Sequence, residues 1–314
     1  MSVLLYNRKE FIKNALGAGM AVALSKFPLS AIAQSEGLET FTLLHTNDWH
    51  SRIEPFPNDG GKYARLGGAA YRAQLIKQIR EKTEHVVLVD SGDMFQGTPY
   101  FNFYGGELEF KLMSEMEYDC ATLGNHDFDG GLSGLKKQLP HAKFDILNAN
   151  YNFTETELNN SFPQFKIIKR GKIKIGITAV GIDLQGLVPS DLWKGLKYTD
   201  PIVAANKNAQ FLKHKKGCDV VILLSHLGYK YGSEKVSDIM LAQRSENIDI
   251  ILGGHTHTFM ERPLIVNNLN AESVIINQVG WGGIMLGRID FTMVSGRVVA
   301  NPQSTMLKVS KKST

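Results

Sequence analysis

Five short apolar runs, each leading into aspartate, asparagine or histidine, constrain this chain more than any other feature. They lie in "TFTLLHTND" (40–48), "HVVLVD" (85–90), "YDCATLG" (118–124), "CDVVILLS" (218–225) and the stretch Ile248 to Leu252. Runs rich in Val, Ile, Leu and Thr, bounded by turn residues, read as strands. Between them lie helical patterns at 67–82, 106–117, 201–216 and 234–246. Hairpins are expected at 165–181, turning at Arg170-Gly171, and at 283–299, with a further strand at 273–279. Strands alternating with helices, with antiparallel hairpins inserted, argue an α/β protein whose mixed sheets are covered by helices. No internal repeat or low-complexity linker interrupts the chain, so one domain is the simplest reading.

In open α/β sheets, chemistry collects beyond the carboxyl ends of the strands. The residues after the five runs are Asp48 and His50; Asp93; Asn125, His126 and Asp129; His226; and His255 and His257. Five of the nine histidines stand at these exits. Each position has an ordinary explanation. Asp48 and Asp93 suit turns, Asp129 suits a helix cap near Gly130, and His226 could be a satisfied buried histidine. Five such coincidences at one end of a sheet are harder to accept than a shared site.

The donors are carboxylate, amide oxygen and imidazole, a set that fits hard or borderline divalent cations. No thiolate joins them. Cys120 and Cys218 form no CxxC pair and each begins an apolar run, so buried free thiols are expected. Residues two apart on an extended segment point the same way, so Asp48 and His50 can hold one ion. His255 and His257 can do likewise, or divide between two ions about 3.5–4 Å apart. Seven donors exceed the needs of one ion and suit two that share a bridging carboxylate.

The charge balance excludes other classes. Thirty-five basic and 31 acidic residues leave a net charge of +4, and no basic patch interleaved with aromatics argues for nucleic acid. The first 33 residues read as an export signal. Arg8, Lys9 and Lys13 precede an apolar core, Ala15 to Leu24, that is too short to span a bilayer, and "AIA" supplies a small-residue cleavage site. "NRKEFIKNAL" resembles a twin-arginine signal with Lys9 in place of the second arginine. The expected layout is an export signal over 1–33, a catalytic domain over 34–307 starting near Gln34, and a disordered basic tail over 308–314. The expected location is periplasmic or extracellular.

The ordered motifs "HTNDWH", "DSGDMFQGTPY", "GNHDFDGG", "SHLG" and "GGHTH" resemble those of the calcineurin-like metallophosphoesterases, most of all the secreted 5′-nucleotidase branch. The resemblance runs from about Phe41 to Val299. It implies a four-layer α/β/β/α sandwich with two mixed sheets. It also implies two divalent ions, drawn from Mn, Zn, Co, Fe or Ca. Asp48, His50, Asp93 and His257 would hold one; Asp93, Asn125, His226 and His255 would hold the other. His126 would be the catalytic histidine and Asp129 its orienting carboxylate. The implied reaction is hydrolysis of small phosphate monoesters, nucleoside 5′-monophosphates foremost, by water that the metals activate. Alternatives are a 2′,3′-cyclic-nucleotide phosphodiesterase, a sulfur-ester hydrolase, or a non-catalytic metal-binding subunit. Full-length family members add a C-terminal domain of about two hundred residues, whose aromatics clamp the base. This sequence shows no such segment, so the resemblance implies a separate chain that completes the site, or another substrate.

Overall fold

The computed structural model describes residues 38–294, 297–298 and 303–312; the export segment expected over 1–33 lies outside them. The strands, in chain order, are β1 (Leu38–Thr46), β2 (Val86–Asp90), β3 (Cys120–Thr122), β4 (Asp145–Leu147), β5 (Tyr151–Asn152), β6 (Phe165–Arg170), β7 (Ile173–Gly181) and β8 (Lys197–Tyr198). They continue with β9 (Val220–His226), β10 (Ile250–Leu252), β11 (Leu264–Asn267), β12 (Ser273–Asn277), β13 (Met285–Val294), β14 (Arg297–Val298) and β15 (Gln303–Lys308).

Two sheets carry the fold. The first runs β14-β13-β1-β2-β3-β4 with β15 also on β13, and the second runs β11-β12-β10-β9-β7-β6. Each is parallel at its centre and antiparallel at an edge: β1 to β4 run together while β13 opposes β1, and β7, β9, β10 and β12 run together between β6 and β11. Strand pleating sorts side chains between layers. Phe41, Leu43, Val87 and Val89 meet Ile175, Ile177, Ile222, Leu224 and Ile250 in the core between the sheets. Leu44, Val86 and Leu88 point the other way, against Leu75, Ile76 and Ile79 of the helix Ala69–Lys82. The outer face of the second sheet is covered by the helices Pro201–Gln210 and Asp238–Gln243 through Ala205, Ala209, Leu241 and Ala242. The result is the α/β/β/α order of layers that the motifs imply.

Register brings the carboxyl ends of the site strands to one edge. Thr46 lies opposite Asp90, Asp90 opposite Ala121, and Leu224 opposite Leu252. The sheets are pinned together there. Ser91 Oγ donates to Leu252 O at 2.8 Å, and the His226 Nδ1 proton goes to Ser91 O at 2.6 Å.

Several elements differ from expectation. The helix expected over 234–246 spans only Asp238–Gln243, where Ser237 supplies the cap by accepting from Met240 N. The pattern over 201–216 is α-helical to Gln210 and then widens to a π turn at Phe211–Lys215. Both cysteines are buried and free, as expected. The loose basic tail expected from Lys308 is corrected over Lys308–Lys312. Lys308 ends β15, Val309 is fully buried, and Val309 bonds to Ile284 O and Gly67 N. The charged residues around it masked a single apolar anchor. Among the described residues no helix is long and apolar enough to cross a membrane.

Candidate metal centre

The structure gathers all seven expected donors. Side-chain atoms of Asp48, His50 and His257 form one compact group, and those of Asp93, His226 and His255 form a second; within each group the atoms lie within 4.8 Å of one another. Asn125 joins the second group, its Oδ1 lying 2.8 Å from His255 Nδ1. In the first group His257 Nε2 is 3.3 Å from Asp48 Oδ1, and the Nε2 atoms of His50 and His257 approach to 2.9 Å. In the second, His226 Nε2 is 3.0 Å from Asp93 Oδ2. The two groups adjoin. Asp93 Oδ2 lies 3.9 Å from His50 Nε2, and Asp48 Oδ1 lies 4.0 Å from His226 Nε2.

Backbone conformation aims these donors. Asp48, His50, Asp93, His255 and His257 all have positive φ, between 50° and 70°. For residues with a Cβ this region costs about 1–2 kcal/mol each, so something must hold it. Backbone bonds do so: Asp48 N to Gly92 O at 2.9 Å, His50 N to Asp93 O at 3.0 Å, and Gly282 N to Asp48 O at 2.7 Å. Close approach also demands glycine. A Cβ on Gly124 would fall 2.2 Å from Asp93 Oδ1, and one on Gly254 2.8 Å from His226 Nδ1.

The ring orientations are fixed from behind. His50 Nδ1 donates to Gln96 O and His226 Nδ1 to Ser91 O, so each presents Nε2 to the centre. Burial lowers the pKa of His50, and it lowers that of His255 to about 4. Burial opposes charge on Asp93 and His226 as well, yet each holds the other ionised. The Asp93 carboxyl lies well below its usual range, and His226 is held up, to about 10.

This arrangement fits a cation. Asp48 and Asp93 are fully buried carboxylates whose ion-pair partners, among the described residues, are all histidines. His226 Nε2 is buried and aimed into the centre, and despite its proximity to Asp93 it lacks the alignment of a hydrogen bond. A buried ring nitrogen without an aligned partner, beside two buried carboxylates, suits a divalent ion that displaces its proton.

His126 sits at the open side. Its ring is 5.3 Å from that of His50, its backbone N–H donates to Asp93 Oδ1 at 2.8 Å, and its Nδ1 proton is taken by Asp129 Oδ2 at 2.7 Å. The Asp129 hydrogen bond raises the His126 pKa. The side chain keeps 36% of its surface exposed, enough to meet a bound molecule.

Sequence reasoning missed Asp127. Its buried carboxylate accepts four backbone N–H groups: Asp93 and Gly124 on Oδ2, Met94 and Phe95 on Oδ1, at 2.8–3.1 Å. Burial disfavours ionisation of this group, but two donors on each oxygen leave no lone pair for an acid proton. Asn47 was also missed. It ties the first donor loop to the loop before β13 by donating to Asp48 Oδ2 and Gly280 O and accepting from Val279 N. Both stand inside motifs that were read, so a buried polar residue beside each donor was the available signal.

A two-sheet α/β sandwich with oxygen and imidazole donors at its strand ends defines a metallophosphoesterase domain. Residues 41–259 match the calcineurin-like phosphoesterases, and the chain belongs to that family. It is 36% identical over 239 residues to a snake venom 5′-nucleotidase of Crotalus adamanteus, a match spanning 74% of this chain and 39% of that protein. It is 32% identical to the human 5′-nucleotidase over 71% of this chain and 39% of that one. A 5′-nucleotidase precursor from Thermus thermophilus superposes with a TM-score of 0.80 at 29% identity, over 88% of this chain and 55% of that structure. The chain thus spans well under half the length of the venom and human relatives.

Proposed function

We propose that this chain hydrolyses small phosphate monoesters, nucleoside 5′-monophosphates foremost, with the help of two divalent ions. The observation that carries the reading is the pair of adjoining donor groups with Asp93 facing both. Asp48, His50, Asp93 and His257 would hold one ion, and Asp93, Asn125, His226 and His255 the other. Ions drawn from Mn, Zn, Co, Fe or Ca held in these positions would offset charge on the phosphoryl group, and Mn, Zn, Co or Fe would also make a nucleophilic oxygen available at neutral pH.

The chain's own residues do the rest. His126 is the proton donor to the departing alkoxide, a role worth about 10²–10⁴-fold. Asp129 orients its ring and, by raising its pKa, keeps an imidazolium available. Asp127 holds the loops of Asp93 and Asn125 at a fixed separation. The intact His126–Asp129 pair favours an enzyme over a passive metal-binding subunit. The nucleotide preference rests on the relatives' names. Export to the periplasm or outside the cell rests on the basic and apolar pattern of the first 33 residues. Mass spectrometry of native protein checks it, with an N-terminus near Gln34 expected and an intact Met1 to Ala33 segment refuting it.

The test of function is a screen of phosphate monoesters, cyclic nucleotides and sulfate thioesters with Mn²⁺, Zn²⁺, Co²⁺ and Ca²⁺. Turnover of monoesters is expected. Turnover confined to cyclic or sulfur esters would displace the reading.

A further inference from the structure

Four aromatic side chains meet at the rim of the metal centre and belong to none of the three apolar cores. Phe56 and Tyr63 lie in the loop after His50, Phe259 in the loop after His257, and Trp281 in the loop before β13. The indole of Trp281 lies parallel to the His257 imidazole, at 12° and 5.6 Å between centroids. Phe56 and Tyr63 meet it near perpendicular, at 5.4 Å and 6.3 Å, and Tyr63 stacks on Phe259 at 5.9 Å.

The backbone is shaped for this cluster. Gly280 has φ 77°, and a Cβ there would fall 2.2 Å from the Phe259 ring. Gly282 has φ 64°, and its Cβ would fall 3.0 Å from Phe56. The Trp281 loop is also bonded to the donor loop, through Gly282 N to Asp48 O and Asn47 Nδ2 to Gly280 O. Cations border it: the Arg52 guanidinium lies 4.4 Å from the Phe56 centroid, with its buried Nε unpartnered, and the Lys62 ammonium lies 5.2 Å from that of Tyr63. A cluster serving only to pin loops would bury its rings. All four remain partly exposed, next to a histidine whose side chain is 40% exposed.

Resting on the phosphomonoesterase reading, we propose that Phe56, Tyr63 and Trp281 form a leaving-group subsite that receives a flat aromatic ring while the phosphate sits at the metal centre. Rings stack on aromatic faces with little regard to their identity, so the subsite takes a nucleobase or an aryl group and discriminates weakly between bases. It adds ring contacts within this domain to those that the resemblance assigns to a second domain.

The test uses the full chain loaded with Mn²⁺ and three substrates: adenosine 5′-monophosphate, phenyl phosphate and glycerol phosphate, which has no ring. Tyr63→Ala and Phe56→Leu are expected to lower kcat/KM about tenfold on the ring substrate that the subsite serves, and to leave glycerol phosphate within about twofold. A loss confined to adenosine 5′-monophosphate marks a base subsite, and a loss on both ring substrates a general aryl one. Tyr63→Leu replaces the alanine variant if that one does not fold. A reading independent of turnover is quenching of tryptophan emission by adenosine. It is expected in the wild type and absent in Trp281→Phe, where Trp49 and Trp193 remain. Equal loss on ring and ringless substrates, or quenching that survives Trp281→Phe, overturns the subsite. If no phosphate monoester is hydrolysed, the phosphomonoesterase reading fails by itself, and the quenching experiment still decides the ring subsite.

Discussion

Asp127→Asn isolates what holds the metal centre in shape. The substitution keeps size but replaces one acceptor oxygen, which receives two N–H groups, with an NH₂ group that can only donate. One amide oxygen can satisfy two of the four N–H groups that Asp127 receives, leaving the other two facing a donor. A buried N–H left unsatisfied costs about 1–3 kcal/mol, so the expected loss is about 2–6 kcal/mol. That is a large part of the 5–15 kcal/mol that typically separates folded from unfolded domains. The loops held by Asp127 carry Asp93 and Asn125, so metal affinity should fall about 10–100-fold as well. Urea unfolding with a chelator present measures the first effect, and Mn²⁺ titration of folded protein measures the second. Asp129→Asn is the control. It lies two residues on, its carboxylate bonds to the His126 ring, and an Asn oxygen can still accept that bond, so it should leave metal-free stability within about 0.5 kcal/mol. Asp127→Asn within about 0.5 kcal/mol of wild type, with unchanged Mn²⁺ affinity, would refute the cradle argument.

Three further outcomes follow. His126→Ala should lower kcat about 10²–10⁴-fold and retain both metals by elemental analysis, whereas Asp93→Ala should lose both ions; loss of an ion from the first variant would reverse the assigned roles. Val309→Asp should destabilise the domain by at least about 2 kcal/mol in urea unfolding, because it puts a carboxyl in a fully buried apolar position. Cys120 should resist iodoacetamide at pH 8 until urea is added, since burial pushes its thiol far above the usual range; alkylation of native protein would show that the strand opens.

The site was legible wherever an apolar run of β-branched residues ended in an unexpected imidazole or carboxylate. Ile250–Leu252 needs no histidine at its exit, and His255 and His257 both face the centre. What stayed hidden depended on partners that leave no mark in sequence. Asp127 is defined by backbone amides, three of the four some thirty residues away, and amides are the same at every position. Trp281 meets Tyr63 across more than two hundred residues, from loops without periodicity. β15 was missed because its pairing partner is an edge of β13 and its anchor, Val309, is one apolar residue among lysines. Short helices were misjudged for a related reason. In "EKVSDIMLAQRSE" the residues before Ser237 fit a helical pattern, but the Ser237 cap fixes the start where tertiary contacts allow it.

Left-handed backbone at five residues of the candidate metal centre links stability to function in a way that separates two of these variants. Each such residue is held about 1–2 kcal/mol above its relaxed conformation. The holding force comes from hydrogen bonds already present in the protein chain, such as Gly282 N to Asp48 O and the four amides on Asp127. The donors are therefore aimed before an ion arrives, and an ion need not provide the energy to aim them. Val309 lies outside that network, bonded to Ile284 and Gly67. Val309→Asp should thus lower global stability yet leave Mn²⁺ affinity unchanged at temperatures where the protein is folded. Asp127→Asn releases the strain locally and should move both quantities. Equal effects of the two variants on Mn²⁺ affinity would mean that the metal, not the chain, sets the geometry of the centre.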